Sequence, residues 1–402
     1  MRLKHIAFTF ILILGVFILL FSIGEICFRL TAAPNPLADT TQKDSDILFL
    51  KNLTLIKTSS VEGEFEYTSH TNNHGYRGRD FATAKTPNQI RILAVGDSFT
   101  FGVGANDHET IPAIIEQKLK DSGTNAEVIN AGIGHASPIH HYVNLRNIHL
   151  QYKPDLVLLL FDLTDLWDDW HSELTAVYDT NGEIIRFDPT FINGKRSWWL
   201  TAMKYSHFCE WIDRKIVRTF KKIQQLGFKR YAQAVIEGKR AKALIIQNKD
   251  TKNDSLIEYD GLLMLRGREK KDLIDKHWPR TAGYIVKIKE LLNREQIPMI
   301  LIMYPHGIYV GKQQWAKGRA TWGFEANQLY TDYYPFELVE SFAQDENIPF
   351  INTLSDFPKT DETKFFYDYD GHMTPAGYAV VANSIVANPS FKEIVDRLIA
   401  NK

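Results

Sequence analysis

A serine, a histidine and an aspartate can break an acyl bond when a fold brings them within hydrogen-bond reach. In this chain of 402 residues the candidates are Ser98, in Gly96-Asp97-Ser98, and the pair Asp370 and His372, in Asp370-Gly371-His372. Two more segments lie between them in the chain, Asn130-Ala131-Gly132 and Thr164-Asp165. Each sits just past a strand-like run, where an open α/β sheet presents its functional groups. The four segments together supply a nucleophile, oxyanion donors and an acid–histidine pair. His372 would take the proton of Ser98, and Asp370 would orient the imidazole and stabilise its charged form.

The elements that must position these residues follow an alternating strand and helix pattern. Residues 91–95 (RILAV), 126–129 and 155–161 (DLVLLLF) read as buried parallel strands. Residues 110–120 read as a helix with Ile111, Ile114, Ile115 and Leu119 on one face and Pro112 in the first turn. After Asp165 the regularity breaks. Residues 166–279 read as a mostly helical insertion, with a hairpin over 176–187 turning at Asn181-Gly182. Its stretch 203–247 reads as helical and basic, and 248–257 as a polar loop. The core pattern resumes with a helix at 281–293, a strand at 298–304, a helix at 335–345 and a strand at 348–351. A last helix opens at Thr374-Pro375, an N-cap followed by proline.

The stretch Ile92-Leu93-Ala94-Val95-Gly96-Asp97-Ser98-Phe99-Thr100-Phe101-Gly102 resembles the first block of the SGNH (GDSL-type) hydrolase superfamily. Val128 to Gly134 is similar to the second block, Phe161 to Asp165 stands at the third, and Asp370 to Tyr378 is similar to the last. The resemblance covers about 91–165 and 280–388. It implies a three-layer, flavodoxin-like α/β fold with a parallel sheet, and an acyl-serine mechanism needing no metal or organic cofactor. It also implies that the glycine of the second block, Gly132, donates its N–H to the oxyanion. Two departures stand out. Thr164 replaces the asparagine that usually donates to the oxyanion, and losing such a donor typically costs about 2.7–4 kcal/mol of transition-state stabilisation. The acid precedes the histidine by two residues instead of three, a spacing that Gly371 accommodates; Asp368 is the alternative acid. Asp97, Asp165 and His306 are candidate substrate-binding residues, although Asp165 also suits a role in fixing its loop.

Residues 6–23 are uncharged and almost wholly apolar, long enough to cross a bilayer as a helix. Arg2, Lys4 and His5 precede them, which places the N-terminus in the cytoplasm and the rest of the chain outside. An uncleaved anchor fits better than a signal peptide, because Glu25 and Arg29 intervene before any small-residue cleavage site. Residues 34–60 read as a tether, and 70–90 as a wrap around the first strand. The net charge of −1 gives no global field favouring nucleic acid. The two cysteines, Cys27 and Cys209, suggest neither a disulfide framework nor zinc. Between Lys204 and Lys242 eleven Lys and Arg face three Asp and Glu, so this stretch suits either anionic lipid or a solvated helix face. Trp167, Trp170, Trp198, Trp199 and Trp211 suit either sugar stacking or a small subdomain core. The expected function is a membrane-anchored, extracytoplasmic esterase acting on small, O-acetyl-like esters of an envelope polysaccharide. An O-acetyltransferase fed by a membrane acyl-donor partner, and a catalytically weak glycan-binding component, are the alternatives.

Overall fold

Five short apolar runs become one parallel sheet. A computed structural model describes residues 2–31, 51–188, 191–199, 201, 206–226, 228–229, 231–232 and 260–402. Within them the chain forms two compact units: residues 46–173 with 238–402, and residues 1–45 with 174–237.

The larger unit begins with an antiparallel hairpin, β1 (Thr54–Thr58) and β2 (Glu66–His70). Part of the expected tether is therefore structured; residues 34–50 lie outside the described residues. The sheet follows, with β3 (Ile90–Gly96), β4 (Ala126–Gly132), β5 (Leu156–Phe161), β10 (Met299–Met303) and β11 (Phe350–Asn352). Their spatial order is β11-β10-β5-β3-β4, and every pairing is parallel. Numbered along the chain, that is the 2-1-3-4-5 order of flavodoxin-like sheets, which reverses direction beside its first strand. Every residue of β3, β5 and β10 is buried, as a sheet covered on both faces requires. Each Leu, Ile, Val or Phe so buried contributes about 1.5–3 kcal/mol.

Helices pack in two groups. Pro138–Asn147, Asp165–Glu173 and Lys271–Arg294 lie against one another, and Ile111–Asp121 lies against Pro375–Ala387. The caps are those the sequence encodes: Thr110 accepts from Ala113 N–H, and Thr374 from Gly377 N–H. The boundaries expected at 166 and 279 fall elsewhere. Helices Asp165–Glu173 and Lys271–Arg294 belong to the larger unit, where they pack on each other and on Pro138–Asn147; Trp278 meets Phe161 of β5 edge-on, with ring centroids 5.9 Å apart. The second of these helices starts ten residues before the expected 281 and carries Pro279 inside it.

The smaller unit holds helix Arg2–Thr31 and two small hairpins, β6 (Ala176–Tyr178) with β7 (Ile184–Phe187) and β8 (Phe191–Ile192) with β9 (Lys195–Arg196). Gly182 takes a φ of +80° in the β6–β7 turn, as the Asn-Gly signal requires. Helices His207–Ile212 and Arg218–Leu226 follow; the expected loop 248–257 lies outside the described residues. Glu25 accepts hydrogen bonds from Ser206 Oγ (2.7 Å) and Phe208 N–H (3.1 Å), and Phe21 meets Phe208 edge-on. Among the described residues no helix is long and apolar enough to cross a membrane. The backbone of Arg2–Thr31 is nonetheless helical for 30 residues, and several side chains of its apolar stretch are outside the described set.

Candidate active site

The turn that carries Ser98 is built at the carboxyl end of β3. Asp97 caps the short helix Ser98–Phe101, accepting from Phe99 N–H at 2.9 Å, and Tyr304 O–H donates to the same carboxylate oxygen at 3.0 Å. Behind the turn the buried Arg77 guanidinium donates to the carbonyls of Phe101, Gly102 and Ala105 and pairs with Asp107. The chain after Ser98 is thus held from both sides.

Ser98 Oγ lies 2.8 Å from His372 Nε2, and His372 Nδ1 bonds to Asp370. The two partners are 274 residues apart in sequence, yet they form one continuous relay. Gly371 takes a φ of +93° between acid and histidine, and a Cβ there would lie 2.8 Å from Trp315 Nε1. The two-residue spacing works because this glycine makes the turn. Asp368 is engaged elsewhere, accepting from Lys364 Nζ at 2.9 Å. Burial alone would lower the His372 pKa, but Asp370 outweighs it and the histidine is held above its ordinary value. Burial likewise pushes Asp370 up, and the bond and charge of His372 bring it below the usual carboxylate range. Each partner stabilises the charged form of the other.

Two expected oxyanion donors are used otherwise. Gly132 N–H donates to the Asn130 side-chain oxygen at 3.0 Å. A Cβ on Gly132 would lie 2.1 Å from Phe101 N, so this glycine lets the end of β4 approach the nucleophile turn. Thr164 gives its single hydroxyl proton to Asp162, at 2.5 Å, and its N–H points to the same oxygen at 3.2 Å. One residue of the site went unnoticed in the sequence. His135 has a φ of +62° in the loop after β4 and lines the same cavity as Ser98. Among the described residues, the backbone N–H groups of Ser98 and His135 have no partner. Nothing in the sequence marks His135, because a left-handed backbone is expected of Gly or Asn there, not of histidine.

The cavity has a volume of about 320 Å³. Ser98, His372 and Asp370 line it with Asp97, Asp162, Thr164, Asp168 and His306, and three tryptophans, Trp167, Trp315 and Trp322, form apolar wall. Of the tryptophans singled out in the sequence, Trp167 reaches this site, whereas Trp198 is exposed and Trp211 stacks on Phe208. Asp165 lies beneath, where its carboxylate accepts from Asp162 N–H at 3.1 Å; it fixes the loop and does not line the cavity. Burial and mutual repulsion shift this acidic group. Asp97 is pushed up to about 7 by burial and by Asp162, Asp169 to about 7 by burial, and Asp165 and Asp168 well above the ordinary range. Asp162 is the exception: burial raises it, but His306 and Thr164 outweigh that and hold it below the ordinary value.

No family model matches the chain, and no curated protein matches it. Solved structures do match. An acetyl xylan esterase, AlAXEase, shares 15% identity over 74% of this chain and 98% of its own, with a TM-score of 0.33. A carbohydrate acetylesterase family member from Sinorhizobium meliloti shares 10% identity over 77% and 99%, with a TM-score of 0.36. A GDSL-like lipase from Bacteroides thetaiotaomicron VPI-5482 shares 12% over 79% and 93%, with a TM-score of 0.32. The strand order and the serine–histidine–aspartate relay described above are observations on this chain itself.

Proposed function

We propose that this chain is a serine esterase of the SGNH type that acts on small acyl esters through an acyl-Ser98 intermediate. One observation carries the reading: Ser98 Oγ, His372 and Asp370 form a hydrogen-bonded chain that opens onto a cavity. His372 takes the Ser98 proton as Oγ attacks the ester carbonyl, and the Ser98 and His135 N–H groups hold the oxyanion. His372 then protonates the leaving alcohol. In the second half, water attacks the acyl-serine, giving a proton to His372, and the acid leaves as Ser98 is restored.

The finer reading is a membrane-anchored enzyme whose catalytic unit lies outside the cytoplasm and deacylates an envelope polysaccharide. It is supported by the uncharged stretch 6–23 with Arg2 and Lys4 before it, and by the aromatic walls of the cavity. An O-acyltransferase would use the same acyl-Ser98 and differ only in resolving it with an alcohol. The commitment of the Thr164 hydroxyl to Asp162 favours one other reading, a catalytically weak glycan-binding component that keeps the fold.

The deciding experiment is hydrolysis of p-nitrophenyl acetate by the full chain in detergent, beside Ser98→Ala. Turnover in the parent that vanishes in the variant supports the esterase. Turnover that requires an added alcohol supports the transferase. A folded parent with no turnover, and no reaction of Ser98 with a fluorophosphonate, overturns both.

A further inference from the structure

The hydrolytic steps leave His306 unused, although it lines the cavity beside Ser98. Its Nε2 lies 2.7 Å from Asp162 Oδ1. The pair comes from two different strand ends, since Asp162 follows β5 and His306 lies just past β10. Asp162 also accepts from the Thr164 hydroxyl and N–H, so its carboxylate is fixed by three donors. The His306 ring is further wedged against Phe99, whose ring also meets His372, with centroids 5.2 and 4.8 Å away. This places a rigid imidazole on the cavity wall next to the reacting serine. Its Nε2–H is given to Asp162, and its Nδ1 has no partner among the described residues. A histidine that is only 5% exposed normally satisfies both nitrogens. Nδ1 is not among the sealed unpartnered atoms of the described residues; it is open to solvent, and the cavity that His306 lines is where a partner can reach it.

The remaining wall says what that partner is. Among the described residues that line the cavity there is no Lys or Arg, while Asp97, Asp162, Asp168 and Asp370 are present. An anionic ligand would meet no countercharge there. Trp167, stacked on His171, and the half-buried Trp322 give this wall apolar surface of the kind that covers the C–H side of a ring. The geometry points to the Asp162–His306 pair as a specificity determinant that binds, through His306 Nδ1, a free hydroxyl on the alcohol part of an uncharged polyol ester. The inference rests on the esterase reading for the identity of the ester. His306 acts here as a binding and positioning residue, and the proton transfers remain with His372.

The test compares two esters of matched ring size, a mono-acetylated methyl glucoside and cyclohexyl acetate, with the full chain in detergent. The readout is the ratio of their kcat/KM values. The parent is expected to favour the sugar ester, and His306→Phe to lower that ratio by at least about tenfold, because a site built to bond a hydroxyl discriminates by losing that bond. His306→Gln retains a donor for Asp162 and should fall between the two; it also serves if the Phe variant does not fold. An unchanged ratio, whether both activities fall together or neither falls, overturns the proposal. A parent that hydrolyses neither ester counts against the esterase reading alone. The pair is then judged by binding of unacetylated methyl glucoside, followed by tryptophan fluorescence in parent and variant. Binding that His306→Phe weakens supports the proposal; no binding, or equal binding, overturns it.

Discussion

Two acid–histidine pairs line one cavity, and they are built in different ways. Asp370 and His372 are two residues apart on a single loop, turned by Gly371, and the histidine faces Ser98. Asp162 and His306 are 144 residues apart, come from the ends of adjacent strands, and are almost wholly buried. In the first pair the acid is engaged by its histidine alone among side chains, so its electrostatic effect is directed at the base. In the second the acid is shared between His306 and Thr164. In the proposed mechanism the first pair moves a proton, and in the further inference the second holds a nitrogen in place.

Removing the acid from each pair breaks the comparison most sharply. Asp370→Asn should lower kcat on p-nitrophenyl acetate by about 10³–10⁴-fold, since the imidazolium loses its stabilising charge. Asp162→Asn should act mainly on the preference for hydroxyl-bearing esters, by about tenfold. Equal losses on both assays would mean that the two pairs are not functionally distinct.

Thr164→Val comes next. If the hydroxyl serves only Asp162, kcat should fall by less than about tenfold. A fall of 10²–10³-fold would instead make it an oxyanion donor and show that it turns away from Asp162 during catalysis.

The pH profile sharpens the first pair. His372 must be neutral to accept the Ser98 proton, and Asp370 holds its pKa above the ordinary value. The kcat/KM should therefore rise with pH through an apparent midpoint above about 6.5. Asp97, at about 7, titrates in the same range, so the midpoint belongs to the coupled site. A midpoint below 6 would mean that Asp370 does not support the histidine as the geometry requires.

The smallest expected effect concerns stability. Asp165 is buried and its pKa lies well above the usual range, because of burial first and then Asp162. A group raised in the folded state contributes stability that is complete below its unfolded pKa and is lost as pH rises through the folded one. Asp165→Asn removes the charge while an amide oxygen can still accept from Asp162 N–H. Its Tm should exceed that of the parent by a few degrees at pH 8, with little difference at pH 4. The opposite order would place a compensating charge beside Asp165.

Local signals carried much of this molecule. The apolar runs that became β3, β5 and β10, the caps at Thr110 and Thr374, and the Asn181-Gly182 turn depend on neighbours a few residues away. The meeting of Ser98, His372 and Asp370 was legible for a related reason: Ser98 stands at the end of a strand, and Asp370 and His372 stand just before the helix that opens at Pro375. The partners of Gly132 and Thr164 were not legible because residue type does not reveal which acceptor takes a donor. Asn130 takes the Gly132 N–H at the end of β4, and Asp162 takes the Thr164 hydroxyl in the loop after β5. The insertion boundaries moved because helices Asp165–Glu173 and Lys271–Arg294 pack on each other and on Pro138–Asn147 of the core, which no local pattern announces.

By itself, the sequence determined the alternation of strands and helices, the segments that carry Ser98, Asp370 and His372, and the apolar stretch at the N-terminus. Periodicity, caps and turns are properties of contiguous residues, and contiguous residues are what a sequence displays. Tertiary structure alone decided that His306 meets Asp162, that His135 takes a left-handed turn beside Ser98, and that Trp315 and Trp322 share a wall with Trp167. Those juxtapositions arise from the order in which strands pair, and pairing brings together residues that the chain keeps far apart.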